Sequence, residues 1–285
     1  MRSAAWAIAA GLACGGCGGG DPEVGYLHVE SFDVEPVLAA GRRARVETVR
    51  AVDGAEALGV YPLPARIPVG TEGGARDIRL EAVVRRAGVA ERQTIYPFYA
   101  AELAAAPTRS GQVDTVRAEV GYADGTEVVV ADDIASGLRS LVVDADGDDA
   151  TALAFASPPG EPPFARATVT AAHPVLEVAT APLRPDASGK RVAAAWAEFD
   201  YRGDALLRVA AVPVELGEPA ERTARYRQGV FGREEFRRFY FDLLDELGLD
   251  LVAGGAFRLA LLAVHDPDGP ATQTVDVDNV RVLVR

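Results

Sequence analysis

Val192-Ala193-Ala194-Ala195-Trp196-Ala197-Glu198-Phe199-Asp200-Tyr201-Arg202 is the stretch that decides the fold. Its odd positions, Ala193, Ala195, Ala197, Phe199 and Tyr201, are all apolar. Strand side chains alternate between faces, so these five should meet a core. Trp196, Glu198, Asp200 and Arg202 then share the opposite face. Phe236-Arg237-Arg238-Phe239-Tyr240-Phe241-Asp242 repeats the pattern, with Phe236, Arg238, Tyr240 and Asp242 facing outward. This second segment also carries helical spacing, at 236, 239, 240, 243, 244 and 247; its aromatic content favours a strand over 236–243. An aromatic ring flanked by carboxylates and arginine is how a sheet face stacks a sugar and bonds its hydroxyls. Plain cross-strand pairing on a solvated face makes the same pattern. Trp196, Glu198, Asp200, Arg202, Arg238 and Tyr240 are therefore the candidate ligand-binding residues, for a glycan or a partner protein.

Alternation extends outward in both directions. Toward the N-terminus lie Leu27–Val29 with Phe32–Val34, then 45–49 running into the turn Asp53-Gly54, then 78–84 and 94–99. Residues 59–69 carry three prolines, which confine them to an edge strand or an extended connection. Val113 to Val130 reads as a hairpin around Asp124-Gly125. These short strands predict a β-sandwich over residues 24–130. Toward the C-terminus, strands at 138–143, 152–156, 167–171, 175–180, 206–214, 257–264 and 275–284 join the two quoted stretches. They predict a jelly-roll β-sandwich over 131–285. The expected fold class is all-β.

The chain has 285 residues, 42 acidic against 29 basic, and a formal net charge of −13. That balance excludes a nucleic-acid binder, which needs a basic surface to neutralise phosphates. Only two cysteines occur, Cys14 and Cys17. A disulfide scaffold and thiol chemistry in the body are excluded. After the N-terminus no apolar run approaches the ~20 residues of a membrane span.

Residues 1–20 open with Arg2, pass through an apolar stretch from Ala4 to Ala13, and end in five glycines around the two cysteines. This is the layout of a secretory signal followed by a flexible tether. A cysteine after small residues resembles the lipobox of bacterial lipoproteins. The resemblance implies lipidation at Cys14, with Cys17 as the alternative, and a membrane attachment through acyl chains. Gly59-Val60-Tyr61-Pro62-Leu63-Pro64-Ala65-Arg66-Ile67-Pro68 and Ile95-Tyr96-Pro97-Phe98-Tyr99 resemble the N-terminal sandwich of bacterial envelope lipoproteins. Phe236 to Leu243, with the terminal Val275-Asp276-Val277-Asp278-Asn279-Val280-Arg281-Val282, is similar to paired strands of jelly-roll carbohydrate-binding modules. These resemblances imply a lipid-anchored protein of the bacterial envelope, at the outer membrane or cell surface. Its jelly roll would bind a glycan or a partner protein, or serve as a structural or adhesion subunit of an envelope complex.

Catalytic and metal motifs are weighed last. Glu198-Phe199-Asp200-Tyr201-Arg202 resembles the E-x-D-x-x-E strand of a family of jelly-roll glycosidases. Gly203 stands where its third carboxylate belongs, so the acid/base residue is missing and a glycoside hydrolase is only a remote alternative. No nucleophile elbow or paired-histidine zinc motif is present. Asp144 to Asp149 fails the EF-hand spacing, because Asp149 and Phe155 hold the places of its glycine and its closing glutamate; a solvated acidic turn is expected. The likeness to binding modules implies a structural calcium held by Asp133 and Asp278, and no other cofactor.

Overall fold

The computed structural model describes residues 23–35, 45–132, 134, 140–184, 192–214, 226, 228–244 and 255–285. The fold is all-β. In the first part of the chain the strands are β1 (Val24–Val34), β2 (Thr48–Asp53), β3 (Glu56–Pro62), β4 (Ala65–Gly70), β5 (Asp77–Arg85), β6 (Gln93–Ile95), β7 (Glu102–Ala105) and β8 (Val113–Val120). They form two sheets, one ordered β4-β1-β8, the other β3-β2-β5-β6 with β7 also paired to β5. Leu27, Phe32, Ile67 and Val120 of the first sheet pack with Val49, Leu80 and Ala82 of the second. This is a β-sandwich.

Local chemistry accounts for its irregularities. In β1 the buried positions change phase, from Leu27 and Val29 to Phe32 and Val34. A bulge between Val29 and Ser31 inserts Glu30 opposite β8 and shifts the alternation by one. The proline-rich stretch 59–69 divides into β3 and β4, each the outermost strand of its sheet, where a missing N–H leaves no ladder bond unmade. Asp53-Gly54-Ala55-Glu56 is the tight β2–β3 turn, with Gly54 in the left-handed region at φ 56°.

The remaining strands are β9 (Glu127–Ala131), β10 (Leu141–Asp144), β11 (Ala154–Ala156), β12 (Phe164–Thr170), β13 (Val175–Thr180), β14 (Ala195–Gly203), β15 (Leu206–Val214), β16 (Gln228–Val230), β17 (Arg233–Asp242), β18 (Ala256–Val264) and β19 (Thr272–Val284). They form the C-terminal jelly-roll sandwich. One sheet runs β10-β13-β18-β15-β16, the other β11-β12-β19-β14-β17. Phe199, Tyr201, Phe241 and Val282 of the second meet Leu207, Phe257 and Leu261 of the first in a separate core. Residues 233–242 are thus a strand, the alternative that their aromatic content favours.

The hairpin expected over Val113 to Val130 does not form. β8 lies parallel to β1, whereas β9 pairs antiparallel with the end of β19. Asp124-Gly125 is a turn in the passage from one sandwich to the other, not the tip of a hairpin. The sequence could not show this, because a turn signal says that the chain reverses and not which strand it meets next.

Strands β14 and β19 are buried almost end to end, with no alternation between inside and outside. Both faces of their sheet are covered where they run side by side. One face meets the jelly-roll core; the other meets the N-terminal sandwich through Trp196, Tyr240 and Leu283.

Candidate functional site

The odd positions of β14 enter the jelly-roll core as the alternation requires. The even positions share the other face, in register with β17: Trp196 opposite Asp242, Glu198 opposite Tyr240 and Asp200 opposite Arg238. The six candidate residues are therefore brought to one face. That face is not the solvated one expected. Trp196, Glu198, Asp200 and Tyr240 are 4%, 0%, 3% and 6% exposed, and the Arg238 side chain is 3% exposed. The physical reason is aromatic cover from the first sandwich. Tyr96, Phe98 and Tyr99 follow β6 and are themselves buried. Tyr96 sets its ring edge-on to Trp196 at 5.3 Å and to Tyr240 at 4.9 Å. Tyr99 stacks on Tyr122 at 6.0 Å. Backbone bonds from Ala123 N–H to Phe98 O and from Ala100 N–H to Gly121 O pin this cover to the passage between sandwiches.

Glu198 is the centre of the sealed region. Its carboxylate accepts hydrogen bonds from the hydroxyls of Tyr96 at 3.1 Å, Tyr99 at 3.4 Å and Tyr122, and from Arg281 at 3.4 Å. Asp200 receives a two-pronged bond from Arg238, at 2.9 and 3.1 Å, and a third from the Asn279 side-chain amide at 2.6 Å. Burying a charge is costly unless it is paired and hydrogen-bonded; here each carboxylate has both an arginine and neutral donors. Burial, and then the Glu198 charge, push the hydroxyls of Tyr96, Tyr99 and Tyr122 well above the usual phenol range. Tyr240 is also raised, by burial first. Burial pulls the Arg238 guanidinium down, but Asp200 and Glu198 outweigh it and hold it firmly charged. Phenols held protonated around a shared carboxylate serve here as hydrogen-bond donors in a joint.

The sequence missed Tyr96, Tyr99, Tyr122, Asn279 and Arg281 as parts of this cluster. The signal for Arg281 was present, because the apolar positions of β19 change phase from Val275 and Val277 to Val280, Val282 and Val284. Asn279, at φ 52°, makes a bulge there, opposite the step from Glu198 to Asp200. The one extra residue lets Asp278 before it and Arg281 after it pair with the same face of β14. The Asn side chain tolerates that left-handed conformation better than most.

Arg202 lies farther along the same face and is the candidate nearest to solvent. It bonds Asp276 at 2.9 Å and Glu161 at 2.9 Å, and sits over the Phe236 ring at 4.4 Å. Arg166 forks onto the same Asp276. Beyond the sealed region, the edge strand β17 lines a cleft of about 450 Å³ against β2 and β5. Asp200, Arg238 and Tyr240 reach its floor, while Phe236 and Arg237 form part of its wall. The turn after β5 borders it: Ala87 N–H donates to Tyr240 O at 2.8 Å, and Arg86 approaches Asp242 at 3.5 Å.

Among the described residues no cluster of three or more His, Cys, Asp or Glu side chains is arranged to hold a metal ion. Asp278 is buried, and one of its oxygens accepts the Asn279 N–H at 2.9 Å; its expected calcium partner Asp133 lies outside the described residues, as do Cys14 and Cys17. The acidic turn at 144–149 is tied to its surroundings. Asp146 accepts the Glu177 N–H at 2.6 Å, and Asp148 pairs with His173 at 2.8 Å. Among the described residues no helix is long and apolar enough to cross a membrane.

No protein-family model matches the chain, and no curated protein matches it. Among solved structures it is similar to the K3 cleaved adhesin domain of Lys-gingipain from Porphyromonas gingivalis w83, at 13% identity and a TM-score of 0.35, over 56% of this chain and 99% of that one. It is also similar to a structure from work on the promiscuous specificity of carbohydrate-binding modules of the β-sandwich superfamily, at 9% identity and a TM-score of 0.30, over 83% of this chain and 85% of that one.

Proposed function

We propose that the chain is a non-catalytic binding protein, held at the bacterial envelope by a lipid on Cys14 or Cys17, whose cleft beside β17 takes a glycan. The observation that carries this is the contrast between the sealed face and the strand at its edge. The carboxylates of β14 are buried and paired with arginines, while the edge strand β17 lines an open cleft that includes the aromatic Phe236. Glu198, at 0% exposure, has no route to a glycosidic bond. The cleft's size falls in the range of small-ligand sites, about 300–1,000 Å³. Retention of the full-length protein on a broad panel of immobilised glycans tests the reading. Retention that falls at least tenfold in Phe236→Ala is expected; no retention by any glycan would overturn it.

A protein partner is the alternative, favoured by Phe231, which is 76% exposed beside the β16–β17 turn. That reading calls for a partner that co-purifies in fixed proportion after crosslinking.

A further inference from the structure

We propose that the cleft selects an acidic oligosaccharide, one that presents carboxylate or sulfate groups. This rests on the reading that the cleft holds a glycan, and adds to it the chemical class of that glycan. The chain as a whole carries −13, yet the cleft gathers five arginines, Arg45, Arg85, Arg233, Arg237 and Arg238. Three carboxylates, Glu47, Glu235 and Asp200, line it with them. The local excess is positive on a molecule that is otherwise strongly negative.

The pairing shows which arginines are committed. Arg238 is buried and forked onto Asp200, and Arg45 faces Asp33 at 3.2 Å. Arg85 and Arg237 share one carboxylate: Glu47 lies 3.4 Å from the first and 3.3 Å from the second. Their side chains are 41% and 50% exposed, so both guanidiniums can turn to a ligand. The Nε of Arg85 is buried without a hydrogen-bond partner. Arg233, at the rim, has no carboxylate at ion-pair distance among the described residues.

A planar guanidinium fork matches a carboxylate or sulfate and forms charge-assisted bonds that a neutral hydroxyl cannot equal. A neutral sugar would leave the surplus charge of Arg85, Arg237 and Arg233 unanswered. Phe236, whose ring carries Arg202 at 4.4 Å, lines the same cleft, and the C–H face of a sugar packs against such a ring. A cleft of about 450 Å³ is of the size that takes a small ligand or a short chain. The ring and the forks together favour a charged sugar over an acidic peptide, which would use only the forks.

Isothermal titration of the full-length protein tests this with four probes: tetragalacturonate, a heparin-derived tetrasaccharide, cellotetraose and tetraglutamate. At least one acidic saccharide should bind ten or more times more tightly than cellotetraose and tetraglutamate. Which one binds better separates a carboxylate ligand from a sulfated one. Arg237→Gln should weaken that binding about tenfold, the loss of one charge-assisted bond. Glu47→Gln should tighten it severalfold by releasing Arg85 and Arg237, a gain that damage to the fold would not produce. Cellotetraose bound as tightly as the acidic saccharides would overturn the acid preference and leave the glycan reading standing. Tetraglutamate bound as tightly would overturn the sugar class in favour of a peptide. Failure of all three saccharides would overturn both.

Discussion

At the scale of single residues, Asn279 sets the geometry of the sealed cluster. Its backbone supplies the left-handed step that shifts β19 by one residue, and its amide supplies a donor to Asp200. Alanine loses both. A left-handed alanine costs roughly 1–2 kcal/mol, and a lost hydrogen bond to a charged group about 1.5–3 kcal/mol. Asn279→Ala should therefore lower stability by about 2–4 kcal/mol, allowing for overlap between the two. Asn279→Gly should cost less, because glycine takes the backbone conformation without strain. Urea unfolding of both variants checks this; equal losses would mean that the bulge is not strained for alanine. The change of phase was legible in the sequence, where the valines of this strand move from 275 and 277 to 280, 282 and 284 across Asp278-Asn279; which residue takes the left-handed step was not.

At the scale of elements, the strands were legible and their neighbours were not. The odd positions of β14 go where period two sends them, and residues 233–242 form the strand that their aromatic content favours. The even face was misread because alternation between apolar and polar residues does not say what covers the polar side. Here the cover is the segment from Tyr96 to Tyr99, which comes about a hundred positions earlier in the sequence. Its hydroxyls give the polar face its partners, so a charged stripe can be interior. This arrangement has a pH signature. The raised phenols of Tyr96, Tyr99, Tyr122 and Tyr240 keep their protons in the folded state above pH 10, where the unfolded chain releases them. The folded state then binds more protons, so stability is intact below about pH 10 and falls as pH rises further. Phenolate absorbance followed together with circular dichroism should show these four tyrosines ionising only as the β signal is lost. Four phenolates appearing while the fold persists would show the cover to be open.

At the scale of the whole molecule, the fold class followed from alternation alone, but the relation between the sandwiches did not. Each has its own core, and between them lies a joint that mixes apolar contact with charge. Trp196, Tyr240 and Leu283 bring jelly-roll side chains into the N-terminal cluster. Glu198 takes hydroxyls from the first sandwich and a guanidinium from the second. The two sandwiches should therefore unfold together. This joint also directs the functional reading, since it buries Glu198 and leaves the cleft along β17 as the accessible region beside it. Removing one partner of a buried charged network costs about 3–5 kcal/mol. Glu198→Ala removes the one acceptor that Arg281 and three phenols share, at the place where the sandwiches meet. Scanning calorimetry of the wild-type protein and Glu198→Ala is the most direct measurement. The wild type should melt in a single transition, and Glu198→Ala in two, one for each sandwich. Two transitions in the wild type, or an unchanged single transition in Glu198→Ala, would contradict a joint built on Glu198.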